Sequence, residues 1–322
     1  MPNTLPHKTK QFFFVLIKIS IVVAGFYFIY QKLTKNQELI FNHFLDILNE
    51  NKVFSLKNIT FLIILSIFNW FFEILKWQNL VFPIKKISLK NATEQSLGAL
   101  TASLFTPNRI GDYGAKAMYF TKPFRKHIVL INLMNNLLQM LVTTVFGIIG
   151  LSFFTYHYAW DLSIKKSILV FLSFILITGF VLFLMKKLNV YVKGFSIKKI
   201  FDFVIKYPKK NLLIGFNLSL LRYFIFSFQF YYLLHIFKIE ITYFEAMVFI
   251  TSMYFLASVI PSIFVFDVVV KGSVAVYLFN FISVNSITIL SISTIMWLLN
   301  FVLPSIIGGF YVLKFSLPKQ DI

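Results

Sequence analysis

Thr106-Pro107-Asn108-Arg109-Ile110-Gly111-Asp112-Tyr113-Gly114 interrupts the middle of an apolar stretch that runs over residues 92–120. Without the interruption the stretch would read as one membrane-crossing helix, because about 20 apolar residues cover a hydrocarbon core of about 30 Å. A proline, two glycines and two opposite charges at its centre break a helix. Facing lipid, the freed backbone groups are costly, so such a break survives only where protein or a wet cavity covers it. A re-entrant helical hairpin satisfies both constraints: it enters the membrane, turns at its broken centre and leaves on the side it entered. Residues 243–279 repeat the pattern, broken by Pro261, Asp267 and Lys271-Gly272.

Outward from these breaks lie six uninterrupted apolar runs, at 11–30, 59–80, 128–154, 167–185, 212–237 and 287–315. Of the 322 residues, 58% are hydrophobic and 13% charged, about half the charge of a soluble domain. The expected fold is therefore an all-α integral membrane protein with one polytopic domain, six transmembrane helices and two re-entrant hairpins. The first run is too long for a signal-peptide core, carries Lys18 and lacks a small-residue cleavage site, so it reads as an uncleaved span. Residues 31–58 are polar with a short surface helix, and 186–210 are strongly basic with an amphipathic piece over 197–205.

The net charge of +19 does not indicate nucleic acid, because the lysines cluster in loops that flank apolar runs. Their placement sets a topology. Lys85, Lys86 and Lys90 precede the first hairpin, and Lys122, Arg125 and Lys126 follow it, so both its ends belong inside. The loop at 156–164 has Asp161 and no lysine or arginine, so it faces out; 186–210 returns inside. The second hairpin is flanked by near-neutral 238–242 and uncharged 280–286, so it opens outward. Both termini are then cytoplasmic. A bacterial cytoplasmic membrane is the expected location.

The hairpins also resemble each other. Pro107, Asp112, Lys116 and Met118-Tyr119-Phe120 in the first match Pro261, Asp267, Lys271 and Tyr277-Leu278-Phe279 in the second, with Glu94 and Glu245 near their starts. Three spans separate them, so they enter from opposite faces as an inverted repeat, the arrangement that puts broken helices around a midplane site.

Arginine occurs only at 109, 125 and 222. Arg125 suits headgroup anchoring. Arg109 stands at a hairpin tip and Arg222 near the centre of a span, where a charge costs at least about 2.5–3.5 kcal/mol. Each either binds phosphate through its planar fork or forms an internal ion pair, with Glu73 or Asp112 the nearest candidates. Glu73 shares a face with Asn69 and Lys76, and Lys76 is long enough to snorkel to the cytoplasmic edge. Asn132, Asn135, Asn136 and Gln139 form a polar stripe that suits interhelical hydrogen bonds or a hydrophilic groove. Asp112 with Lys116, and Asp267 with Lys271, have i, i+4 salt-bridge spacing. Trp70, Trp77 and Trp160 fit interfacial belts, most of the 42 phenylalanines lipid-facing bulk, and His235 an outer edge.

The stretch 106–112 resembles the Pro-x-Arg-x-Gly-acidic signature of the lysylphosphatidylglycerol synthase transmembrane (flippase-like) family. Pro261 through Asp267 is similar to that family's second proline-acidic segment, with Phe264-Val265-Phe266-Asp267 where the family usually has glycines and Glu. The resemblance covers about 59–315. It implies a membrane domain without the C-terminal aminoacyl-transferase domain, since the sequence ends at Ile322. Translocation or lipid binding is then expected, not lysine transfer.

No nucleotide loop, metal-protease motif or nucleophile elbow occurs and there are no cysteines, so no enzyme activity, cofactor or metal is expected. The expected function is a lipid translocase for an anionic or modified phospholipid or a polyprenyl-phosphate-linked lipid. Substrate would be bound by Arg109, Asp112, Lys116, Arg222, Asp267, Lys271, Glu73 and Asn136. The alternative is an accessory membrane subunit of an envelope lipid or polysaccharide glycosyltransferase. Expected partners are membrane phospholipids, such a glycosyltransferase or lipid-modifying protein, or a second copy of the chain.

Overall fold

The computed structural model describes residues 55–104, 106, 110–158, 191–192, 195–260 and 267–318, with Val23 alone before them. The expected spans 11–30 and 167–185, and Trp160, lie outside the described residues.

Four helices among the described residues are long and apolar enough to cross a membrane. They are α1 (Leu56–Val81), α4 (Lys122–His157), α6 (Lys209–Ile236) and the rod Ser286–Lys314. The rod comprises α9 (Ser286–Trp297), a π turn (Leu298–Val302) and α10 (Leu303–Lys314). Ser55 caps α1 by accepting from the Asn58 N–H, and Pro123 sits in the first turn of α4, where its missing donor costs nothing. A two-residue antiparallel ladder, β1 (Tyr191–Val192) with β2 (Phe195–Ser196), leads into α5 (Ile197–Lys206), the expected amphipathic piece.

Both broken stretches are helix pairs. α2 (Leu89–Ala102) and α3 (Ile110–Met118) form the first, and α7 (Tyr243–Val259) and α8 (Asp267–Phe279) the second. At about 1.5 Å per residue, none of these four helices spans the ~30 Å hydrocarbon core alone. Each chain segment doubles back. Tyr119 returns to donate its hydroxyl to the Glu94 carbonyl at 3.2 Å, and Phe279 returns to within 5.0 Å of Phe249, ring to ring. At the first break Thr106 Oγ1 accepts from the Gly111 N–H at 2.9 Å and donates to the Ser103 carbonyl at 2.8 Å. A Cβ on Gly111 would press into that threonine, so the staple requires glycine there.

Helix pairing follows close approach. α1 and α6 run antiparallel, tied at one end by Asn79 with Asn211 and at the other by Tyr232 with Asn58. Gly308 of α10 lies against the Leu97 carbonyl and Thr101 of α2, while Gly150 of α4 lies against Thr251 of α7. Thus a threonine from each hairpin sits on a glycine of a long helix in the other half. Exchanging α1, α2, α3 and α4 for α6, α7, α8 and α9–α10 reproduces the packing: α1 on α2 becomes α6 on α7, α3 on α4 becomes α8 on α9, and α2 on α10 becomes α7 on α4.

One expectation needs correction. Trp70 and Trp77 are buried, not belted at an interface, and Phe120, Phe154, Phe230, Phe249 and Phe279 are core, while Phe68, Phe71, Phe153, Phe224 and Phe310 remain exposed. Depth along a helix does not say which neighbour a side chain faces. At the helix ends outside the apolar runs, burial pushes the Tyr207 phenol up, and as the neutral donor it bonds the Leu80 carbonyl. Burial first, then Glu245, pushes Tyr158 up to about 12, and its hydroxyl donates to Glu245 Oε1 at 2.6 Å.

Candidate functional site

Asn69, Glu73 and Lys76 lie on one face of α1, and the antiparallel α6 brings Arg222 to that face. Arg222 Nε donates to Asn69 Oδ1 at 2.9 Å, and Nη1 to Glu73 Oε2 at 2.6 Å. Lys76 Nζ reaches the same oxygen at 2.8 Å, and Asn135 Nδ2 of α4 donates to Glu73 Oε1 at 2.9 Å. One carboxylate is therefore held by two cations and an amide. Burial of an ion is tolerable only with this kind of saturation.

Lys76 does not snorkel. It is 1% exposed, its ammonium held by Glu73 and by the Asn135 carbonyl at 3.4 Å. A counter-charge one turn away is closer than the interface, which reverses the expectation.

A second cluster forms where α3 meets α4. Lys116 Nζ lies 3.4 Å from Asp112 Oδ2, and Asn132 bridges both, donating to Asp112 at 2.7 Å and accepting from Lys116 at 2.8 Å. Lys116 also stands 4.4 Å over the Trp77 ring, while the Trp77 indole donates to Gln95 at 2.8 Å. Trp77 is thus packed in an apolar cluster with Ile74, Leu80 and Ile131 while its ring face meets a cation. Three cations against two carboxylates leave the two clusters together at +1.

A third arm runs through the π turn. Pro304 has no N–H to return to the Asn300 carbonyl, so that carbonyl is open to another donor. The Trp70 indole takes it at 2.9 Å. The Asn300 side chain accepts from Asn69 at 2.8 Å and donates to Gln229 at 2.8 Å, and Gln229 donates on to Ser66 at 2.9 Å. A widened turn at the point where a helix meets the charged cluster fits the common placement of π turns at functional positions.

Two cavities flank this network. One is polar: Glu73, Lys76, Asp112, Lys116, Asn136 and Gln139 line it. The other has aromatic and thioether walls, including Phe226, Phe230, Met253, Met296 and Phe301, with Lys271 among the polar groups. Trp70 and Arg222 line both, so they form the partition. Arg222 keeps its side chain 20% exposed, against 1% for Lys76 and 4% for Lys116. It is the ion-paired cation best placed to meet a ligand.

Of the expected site residues, Glu73, Asp112, Lys116, Arg222 and Asn136 converge on the polar cavity, and Asn136 donates to the Tyr113 hydroxyl at 3.0 Å. Lys271 lies in the other cavity. Arg109 and the side chain of Asp267 lie outside the described residues. Asn300, Gln229 and Trp297 were not anticipated. Asn300 did leave a signal, being the lone amide in 287–315, four residues before a proline.

Comparison of the chain with protein-family models, curated proteins and solved structures gives no match.

Proposed function

We propose that the chain is a membrane lipid translocase that carries an anionic or modified phospholipid, or a polyprenyl-phosphate-linked lipid, between leaflets of a bacterial cytoplasmic membrane. In this reading six spans place both termini inside, and the two hairpins are re-entrant and related as an inverted repeat. The antiparallel pairing of α1 with α6, and a packing pattern that survives exchange of the halves, support that relation. The observation that carries the proposal is the partition: one arginine and one tryptophan separate a polar cavity backed by the first hairpin from an aromatic one backed by the second. A headgroup passing between them would meet Arg222, whose planar fork suits phosphate.

Glu73 and Asn69 hold Arg222 in place when no ligand is present, and Lys76 keeps Glu73 neutralised when the arginine turns to a phosphate. Resemblance of 106–112 to the flippase-like family agrees with this assignment. The test is reconstitution in liposomes with fluorescent phosphatidylglycerol and quenching of the outer leaflet. Wild type is expected to flip lipid well above protein-free liposomes, and Arg222→Lys, which keeps charge but loses the fork, to fall toward background. Equal flipping by both proteins refutes the mechanism.

A further inference from the structure

The aromatic cavity contains polar groups that the fold leaves unsatisfied. Tyr254 Oη, Ser293 Oγ and Trp297 Nε1 are buried side-chain atoms with no hydrogen-bond partner, and all three residues line this cavity. Each residue is at least nine-tenths buried. They come from two elements, α7 and α9, so no single distorted turn accounts for them. Buried polar atoms are almost always paired, and an orphan in a folded protein calls for an explanation.

The chemistry of the set is one-sided. An indole N–H can only donate, and lysine and arginine have no acceptor. The two hydroxyls are free to donate. Lys271 and Arg222 add positive charge, and no carboxylate lines the cavity among the described residues. A box of aromatic rings can also hold a quaternary ammonium, but two cations in the same wall oppose that, and Arg222 already lies 5.8 Å from the Trp70 ring. The missing partner is a multivalent acceptor carrying negative charge, set in apolar walls.

From this we infer that the aromatic cavity is a second station for the substrate, binding a phosphate group through Lys271, Tyr254, Ser293 and Trp297 on the far side of the Arg222 partition. The assignment rests on the translocase reading for the ligand being a lipid; the phosphate chemistry stands on the donors themselves. The apolar walls then hold the first carbons of the acyl chains, and Arg222 is shared by the two stations.

The test uses the full chain purified in an uncharged maltoside, titrated with dihexanoyl phosphatidic acid, dihexanoylglycerol and inorganic phosphate. Dihexanoyl phosphatidic acid is expected to bind, with Lys271→Gln weakening it about tenfold or more, the scale of a lost charged hydrogen bond. Trp297→Phe, which keeps the ring stacked on Phe301, and Ser293→Ala are expected to weaken it in the same direction with unchanged thermal stability. Inorganic phosphate binding within twofold of the lipid assigns the site to free phosphate; much weaker binding assigns it to a lipid headgroup. Equal binding of dihexanoylglycerol, or unchanged affinity in all three variants, overturns the station. If that happens while wild type still flips lipid and Arg222→Lys does not, the station fails and the translocase stands. Loss of binding in the variants without any flipping by wild type means that the phosphate station stands and the translocase fails.

Discussion

Replacing Glu73 by glutamine tests the physical basis of the partition. The carboxylate is the common partner of Lys76 at 2.8 Å, Arg222 at 2.6 Å and Asn135 at 2.9 Å. Glutamine keeps the volume and removes the charge. Arg222 retains Asn69 and partial exposure, but the buried Lys76 loses its counter-charge and keeps only neutral acceptors, the glutamine oxygen and the Asn135 carbonyl. Breaking a buried pair by removing one partner costs about 3–5 kcal/mol, because the other charge stays buried and uncompensated. At about 2 °C per kcal/mol, the lower end for larger domains, the apparent melting temperature falls by roughly 6–10 °C. The assay is thermal unfolding of detergent-purified protein, followed by intrinsic fluorescence at one fixed scan rate. Glu73→Gln combined with Lys76→Met removes both charges, and replacing a whole buried pair with apolar groups is often neutral or stabilising, so most of the loss is expected to return. A single variant melting within a degree of wild type, or a double variant no better than the single, would show that Lys76 is not held as described.

Other contacts give independent checks. Trp70→Phe strips the donor from the Asn300 carbonyl and is expected to cost about 1–3 kcal/mol, read by the same melts; no change would mean that the π turn is satisfied otherwise. Gly308→Ala and Gly150→Ala push a methyl into the Leu97 carbonyl and into Thr251, and overpacking of this kind costs about 1–3 kcal/mol or more. Gly114→Ala meets nothing and is expected to be harmless or slightly stabilising, so equal losses in all three would refute the packing. The raised phenol of Tyr158 makes its bond to Glu245 pH-dependent in one direction: its contribution is complete below the ordinary phenol range near pH 10 and is lost as pH rises through about 12. The melting difference between wild type and Tyr158→Phe should therefore stay flat to about pH 10 and shrink above it.

The long apolar runs made α1, α4, α6 and the terminal rod legible, and prolines with charges located both breaks. The pair Asp112–Lys116 was legible because four residues make one helical turn; for Arg222 the sequence left phosphate, Glu73 and Asp112 open as partners, and the fold selects Glu73. What a single sequence hides is azimuth. Lys76 has the length to reach an interface, but its face of α1 turns toward Glu73 and α4. Trp70 and Trp77 sit at depths that suit a belt, yet they face Asn300 and Lys116. Asn300 was hidden for another reason: its role depends on a π turn, and the carbonyl freed by Pro304 gains meaning only once Trp70 lies opposite. The unsatisfied donors around the aromatic cavity leave no pattern in sequence at all, since serine, tyrosine and tryptophan are ordinary residues in apolar helices.

A decisive test of the two-sided partition exploits the absence of cysteine from the chain. Single cysteines at Asn136, in the polar cavity, and at Val268, half-buried in the aromatic one, are labelled with a membrane-impermeant maleimide applied from each side of oriented vesicles. Asn136→Cys is expected to react from the cytoplasmic side and Val268→Cys from the outer side, with Arg222 and Trp70 blocking passage between them. Reaction of both positions from the same side would rule the partition out.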